Sequence, residues 1–274
     1  MRLRSLLFVP GDRPDRMEKA LSSGADALIL DLEDAVTPDR KDAARAAVAE
    51  FLGHARTLPL FVRVNPLDGG LVDDDLAAVA GAKPDGLLLP KAEGAADVKR
   101  LAERAPGLPI LPIATETPRA IFGLGSYGEV ASHLVGLTWG AEDLPAAIGA
   151  STSREPDGSF TPPYELARSL TLFGAHAAGV PAIETVSPDF RDLDRLRFYA
   201  ERGRRDGFTG MMAIHPAQVP VINAAFTPSE AELAHARRVV DAFAASPGVG
   251  ALQIDGKMID APHLKAAKRL LGIA

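Results

Sequence analysis

Short runs rich in Val, Ile, Leu and Phe recur along the chain, each closed by Gly, Pro or a polar residue. In order they are SLLFVPG, ALILDLED, LFVRVNP, GLLLPKAE, ILPIATET, LVGLTWGAED, PAIETVSP and GMMAIHP, eight in all. Between them lie segments such as RPDRMEKALSSG, PDRKDAARAAVAEFL, AADVKRLAERA and FRDLDRLRFYAERGRRDG, where Ala, Leu and charges return at helical spacing. Strands that are almost continuously apolar have no wet face, so they belong in a parallel sheet covered by helices. Eight β/α units in about 220 residues is the number and length of a closed barrel, and the pattern predicts an α/β fold, a (β/α)8 TIM barrel over residues 1–226.

Residues 227–274 are surplus to that barrel. TPSEAELAHARRVVDAFAAS predicts a helix capped at Thr227 or Ser229, with acids in its first turn. ALQIDGKMI has the pattern of a hairpin turning at Asp255–Gly256, and Asp260–Ala261–Pro262 opens a terminal helix. A competing open, doubly wound sheet finds support in GLGSYG, which spells a dinucleotide loop. That stretch follows the helical TPRAIF, whereas a phosphate loop leaves a strand, so Gly123, Gly125 and Gly128 read as turn residues.

Composition narrows the function more than the fold. With 274 residues, 47% of them hydrophobic and 24% charged, the chain can bury a large core and stay soluble. A formal charge of −6 with Lys and Arg spread along the chain argues against nucleic acid as a partner. ERGRRDG, the densest basic cluster, reads as a solvated helix face. The absence of cysteine excludes disulfides, thiolate chemistry and Cys-ligated zinc, so any metal must be held by oxygen or imidazole. The apolar run of MRLRSLLFVPGD breaks at Pro10 and Gly11, too early for a signal core, and no run approaches a membrane span; a cytoplasmic location with no membrane contact is the expectation.

In a barrel of this kind the C-terminal ends of the strands converge on the working face. The eight runs end on Asp31, Glu33 and Asp34; Arg63 and Asn65; Lys91 and Glu93; Glu116; Glu142 and Asp143; Glu184; and His215. Several have structural readings too: Asp31 or Asp34 as a helix cap, Lys91 paired with Glu93 or a neighbouring strand's carboxylate, His215 as a hydrogen-bonded strand terminus. Glu116 stands between a buried strand and a helix expected to open at Pro118, and Asp143 has the same placement one strand later. Two carboxylates on neighbouring strands, with no Cys and one candidate His, suggest a hard cation such as Mg2+, which leaves positions for substrate oxygens and suits an α-keto acid. Arg63 then offers a positive fork to an enolate or carboxylate, and Glu142, adjacent to Asp143 on a strand, points the other way into supporting contacts.

RSLLFVPGDRPDRMEKA, LILDLEDAV, VRVNPL, LLPKAE, ETPRAI, WGAEDLPAAIG, GFTGMMAIHPAQV and GKMIDAPHLKAAKRLL, in this order from residue 3 to residue 271, resemble the citrate lyase β-subunit-like proteins. These are relatives of malyl-CoA and citramalyl-CoA lyases. The resemblance implies a (β/α)8 barrel, usually a homotrimer, that uses Mg2+ to cleave or form 3-hydroxyacyl-CoA thioesters. It places the metal carboxylates on Glu116 and Asp143 and the substrate arginine on Arg63. It puts contacts to CoA around Phe8, Arg13 and Lys19, and pocket lining on Ile214 and His215. Its general acid/base corresponds to Asp260, delivered to the site of a neighbouring subunit, which accounts for the extension. Glu184 and Ser187 in PAIETVSPDF, and Met211, Met212 and Ala213, depart from the family's usual residues, so the acyl group is open. Competing readings are the β subunit of a citrate lyase complex acting on an acyl-carrier-protein thioester with partner subunits, an aldolase on free keto acids, and a non-catalytic keto-acid binder.

Overall fold

The computed structural model describes residues 2–54 and 57–273. The chain divides into two compact units, Met1–Phe226 and Thr227–Ala274. In the first, eight strands alternate with helices: β1 (Ser5–Pro10), α1 (Pro14–Ala20), β2 (Ala27–Asp31), α2 (Lys41–Leu52), β3 (Leu60–Arg63), α3 (Val72–Val79), β4 (Gly86–Leu89), α4 (Ala95–Arg104), β5 (Ile110–Pro112), α5 (Pro118–Gly123), β6 (Leu137–Thr138), α6 (Asp143–Ile148), α7 (Pro162–Ala178), β7 (Ala182–Glu184), α8 (Leu193–Asp206), β8 (Gly210–Ala213) and α9 (Gln218–Ala225). The strands are parallel, in the order β5-β4-β3-β2-β1-β8-β7-β6. Single bridges, Ile110 to Leu134 and Ile113 to Thr138, join the two ends, so the sheet closes as a TIM barrel.

Alternation along each strand sorts the side chains into two cores. Leu6, Ala27, Ile29, Phe61, Leu88, Leu111, Ile113, Ile183 and Met212 pack together inside the barrel. Their neighbours in sequence, such as Leu7, Leu28, Leu30, Val62, Leu87 and Leu89, pack outward against Val48, Val79, Val98 and Leu101 of the helices. Because every strand is covered on both sides, the apolar runs carry no alternation in hydrophobicity, only in direction. The parity has a consequence at the strand ends: Asp31 follows Ile29, and Arg63 follows Phe61, by one inward step, so both side chains are directed to the barrel axis.

β6 is much shorter than its apolar run, and Glu142 and Asp143 are not on it: Glu142 is the N-cap and Asp143 the first residue of α6. The glycines of GLGSYG are helical rather than turn residues. Gly123 ends α5, and Gly125 and Gly128 lie in a 3-10 run from Leu124 to His133. At Gly123 a Cβ would stand 1.9 Å from the Glu93 carbonyl, so the missing side chain serves close packing, not phosphate.

The second unit contains α10 (Glu230–Ala245), β9 (Ala251–Ile254), β10 (Lys257–Asp260) and α11 (Ala261–Leu271). Ser229, not Thr227, caps α10, in a capping box with Glu232. The hairpin turns at Asp255 and Gly256, both with positive φ, as its twist requires. Ala236, Val239, Ile259 and Ala267 form a small core of its own. Among the described residues no helix is long and apolar enough to cross a membrane.

Candidate active site

A cavity of about 310 Å3 opens at the C-terminal ends of the barrel strands. Phe8 and Pro10 of β1, Asp31 of β2, Arg63 of β3 and Met212 of β8 line it, with Ile113, Thr185 and Ile214 one step past their strands. All of them continue the inward parity of the barrel core. Arg16 of α1, Asp34, Ala35, Glu116 and Gly140–Glu142 from the loops, and Asp143 at the start of α6 complete the lining. Gly140 has to be glycine there, since a Cβ would lie 2.7 Å from Cγ of Glu116.

Arg63 is held from two sides. Its Nε and Nη2 donate to the Asp31 carboxylate at 2.7 and 2.6 Å, a bidentate fork. Its Nη1 lies 2.8 Å from Glu33 Oε2, an ion contact without hydrogen-bond alignment. The guanidinium also covers the Phe8 ring at 4.9 Å. Burial opposes the charge on Arg63, but the hydrogen bonds and fields of Asp31, Glu33 and Asp34 outweigh it and raise its pKa. Asp31 is therefore no helix cap. It accepts the backbone N–H groups of Glu33 and Ala35, folding its loop around the arginine it orients.

Lys91 pairs not with Glu93 but with Glu33, Nζ donating to Oε1 at 2.8 Å, while its backbone N–H donates to Glu116 Oε2 at 2.5 Å. Its Nζ is 4.0 Å from Asp143 Oδ2. The backbone of Lys91 is left-handed, with φ of 53°, a conformation that costs a non-glycine residue roughly 1–2 kcal/mol. Glu93 instead accepts from the Thr117 hydroxyl at 2.7 Å.

Glu116 is only 5% exposed. Burial pushes its carboxyl up to about 8; the Lys91 N–H pulls the other way, while Glu33, Asp143 and a hydrogen bond with Asp143 raise it further. Burial also raises Glu33, against the pull of Arg63 and Lys91. Around the cavity the carboxylates of Asp31, Glu33, Asp34, Glu116, Glu142 and Asp143 outnumber the cations Arg16, Arg63 and Lys91. The excess is negative, and a proton on Glu116 or a bound cation offsets it. Among the described residues no group of three or more His, Cys, Asp or Glu is arranged to hold a metal. The donor set is a pair of carboxylates beside an open cavity, which suits a hard ion that keeps waters and accepts substrate oxygens.

The remaining sequence candidates divide. Ile214 lines the cavity, 40% exposed. Glu142 lines it as well, beside Asp143 rather than turned away from it, because a helix start and not a strand carries the two. Burial raises its pKa against Arg154, whose Nη2 is 3.7 Å away. His215 does not line the cavity: Nδ1 accepts the Ala217 N–H at 3.1 Å and the ring stacks on Phe190, centroids 4.6 Å apart. Arg13 pairs with Asp15 at 3.0 Å and Lys19 is exposed on α1; neither lines the cavity, whereas Arg16, between them on the same helix, does. Arg16 was legible only as the residue three on from Arg13, one turn along that helix. Thr185, with no partner for Oγ1 among the described residues, also lines the cavity and carried no sequence signal. Asn65 and Glu184 are framework. Asn65 bonds Lys41 and Asp75; Glu184 takes the Trp139 indole at 2.5 Å and Arg168 at 2.7 Å.

Asp260, in the second unit, caps α11 and meets His263 Nδ1 at 2.5 Å. The hydrogen bond from His263 holds its carboxyl below the usual range, against a smaller effect of burial.

The HpcH/HpaI aldolase/citrate lyase family model matches residues 4–216, and a model described as a C-C bond lyase of the TIM-barrel fold matches residues 183–274. The chain belongs to the HpcH/HpaI aldolase/citrate lyase family. A citrate lyase subunit beta-like protein of Mycobacterium tuberculosis is 40% identical over 97% of this chain and 93% of its own length. A (3S)-malyl-CoA thioesterase of Cereibacter sphaeroides is 37% identical over 99% of this chain and 94% of that protein. In three dimensions a crystal structure of CitE from Mycobacterium tuberculosis, in complex with magnesium, acetoacetate and coenzyme A, superimposes with a TM-score of 0.86 at 37% identity. The match covers 100% of this chain and 98% of that one. Family membership thus rests on most of the barrel, the part that builds the cavity.

Proposed function

We propose that the barrel cavity houses a Mg2+-dependent carbon–carbon lyase that cleaves, or in reverse forms, a 3-hydroxyacyl-CoA thioester, giving an acyl-CoA and a keto acid such as oxaloacetate, pyruvate or glyoxylate. The observation that carries this reading is the convergence of Glu116, Asp143 and Arg63 on one cavity where carboxylates outnumber cations. Glu116 and Asp143 are the residues to hold magnesium. When bound, the ion supplies Lewis acidity and a template for the keto-acid oxygens. That a related CitE binds magnesium, acetoacetate and coenzyme A supports the same ligand set for this chain.

The chain's own groups do the rest. Arg63, fixed by Asp31 and Glu33, keeps its charge and aims it into the cavity, where it stabilises oxygen charge on the thioester enolate. Phe8, Ile113, Met212 and Ile214 give the cavity an apolar wall that limits water near that enolate. Arg16 of α1, with Lys19 on the same helix and Arg13 just before it, offers cations to the phosphates of CoA. Asp260, held as a carboxylate by His263 and supplied by a neighbouring copy of a homotrimer, is the acid/base: it gives a proton to the enolate carbon in cleavage or takes it in condensation.

A thioester panel tests the reading: (S)-malyl-, citramalyl- and citryl-CoA with magnesium, scored for keto acid, acyl-CoA and free CoA. Keto acid and acyl-CoA in equal amounts from at least one thioester, abolished by a chelator, is the expected result. Release of free CoA without keto acid assigns hydrolysis instead, a reading that the thioesterase relative favours. Turnover only of acyl-carrier-protein thioesters, with partner subunits, assigns a citrate lyase β subunit. On the best substrate Asp260→Asn lowers kcat about a hundredfold or more while keeping magnesium-dependent keto-acid binding; full activity removes Asp260 from the mechanism.

A further inference from the structure

Lys91 is in contact with carboxylates from three different segments of the site. Its backbone N–H reaches Glu116 beyond β5, its ammonium bonds Glu33 beyond β2, and the same ammonium lies 4.0 Å from Asp143 at the start of α6. It does so from a left-handed backbone that glycine adopts without cost. Strain of this kind at a site asks for a function of the side chain that is kept there. Arg63 does not fill this role, since its carboxylate contacts, Asp31, Glu33 and Asp34, all belong to the end of β2 and the residues just after it.

We propose that Lys91 is the positioning residue of the metal site: its backbone N–H orients Glu116, while its ammonium, bonded to Glu33 and 4.0 Å from Asp143, is a resident counter-cation that competes with magnesium for their charge. The inference rests on the magnesium reading above and goes beyond it in assigning the site a built-in stand-in for the ion. Its consequence has an unusual sign. A lysine that merely packs the site would, on removal, let the carboxylates drift and weaken metal binding. A counter-cation 4.0 Å from a ligand carboxylate repels an incoming dication, so its removal strengthens metal binding.

Magnesium affinity of the full chain, measured by titration calorimetry on the metal-free protein, separates the two. Lys91→Met is expected to bind magnesium about tenfold tighter than the wild type, the scale of a unit charge acting on a dication across a few ångströms of wet site. Lys91→Arg, which keeps the charge, is expected to restore wild-type affinity. Unchanged or weaker binding by a folded Lys91→Met protein overturns the proposal. Should that variant fail to fold without metal, millimolar magnesium must restore its fold, because one cation replaces the other; a chain unfolded in both conditions overturns the proposal as well. A wild-type protein that binds no magnesium defeats the underlying metal reading instead, and is recognised before any variant is made.

Discussion

Glu116→Gln is expected to abolish magnesium binding, to lower kcat/KM at least about a thousandfold, and yet to make the metal-free protein more stable to heat above pH 8. The loss of activity follows from removing one of two carboxylates that face the cavity: Lewis-acid stabilisation is worth several kcal/mol, and each 1.36 kcal/mol is about tenfold in rate. The gain in stability follows from the cost of ionising this group where it sits. Its folded pKa is about 8, against about 4.5 for an unburied glutamate, so below both values folded and unfolded chains carry the proton alike. As pH rises from 4.5 the unfolded chain ionises first and is favoured, and the penalty is complete once the folded group has ionised above about 8. Gln carries no charge, can still accept the Lys91 N–H, and escapes that penalty. Thermal melting of metal-free wild type and variant between pH 5 and 9, with calorimetry for magnesium, checks both halves. A variant less stable than wild type at pH 9 would show that Glu116 is ionised at no cost.

Arg63 is the opposite case, a charge whose removal harms both the fold and the chemistry. Arg63→Met leaves Asp31 and Glu33, both under 5% exposed, facing each other without their shared partner. Breaking a buried ion pair from one side costs about 3–5 kcal/mol, which denaturant unfolding detects directly. Arg63→Lys keeps the charge but cannot reproduce the two-pronged contact with Asp31 at 2.6 and 2.7 Å. With the charge misplaced, kcat is expected to fall about 10^2–10^3-fold, as when one oxyanion donor is lost. Keto-acid binding by Arg63→Lys at wild-type strength, together with full kcat, would remove Arg63 from the reaction and leave it a strut.

The two residues differ in how far the sequence announces them. Both end apolar runs, and parity along the strand is enough to aim Arg63 inward, because Phe61 two positions earlier must be in the core. Glu116 was legible from its place between ILPIAT and the helix-opening Pro118. For Asp143 the apolar run extends past the true strand, and the direction of its side chain comes from the first turn of α6. His215, Arg13 and Lys19 share the strings that carry the family resemblance, but none of them lines the cavity: His215 turns to the Phe190 ring, Arg13 to the Asp15 carboxylate, and Lys19 is exposed on α1.

Local regularities were enough for the alternation of eight strands with helices, the barrel class, the hairpin and capped helices of the second unit, and the set of ionisable groups at the strand ends. These follow from the burial of each segment's own faces, which repeats with the period of the segment. Which of those groups meet was decided only by closure of the barrel. Register between strands brings Asp31 opposite Arg63, the loop after β4 turns left-handed at Lys91, and burial lifts the pKa of Glu116. Charge pairing across strands depends on distances between residues far apart in the chain, and no period within a single segment encodes them.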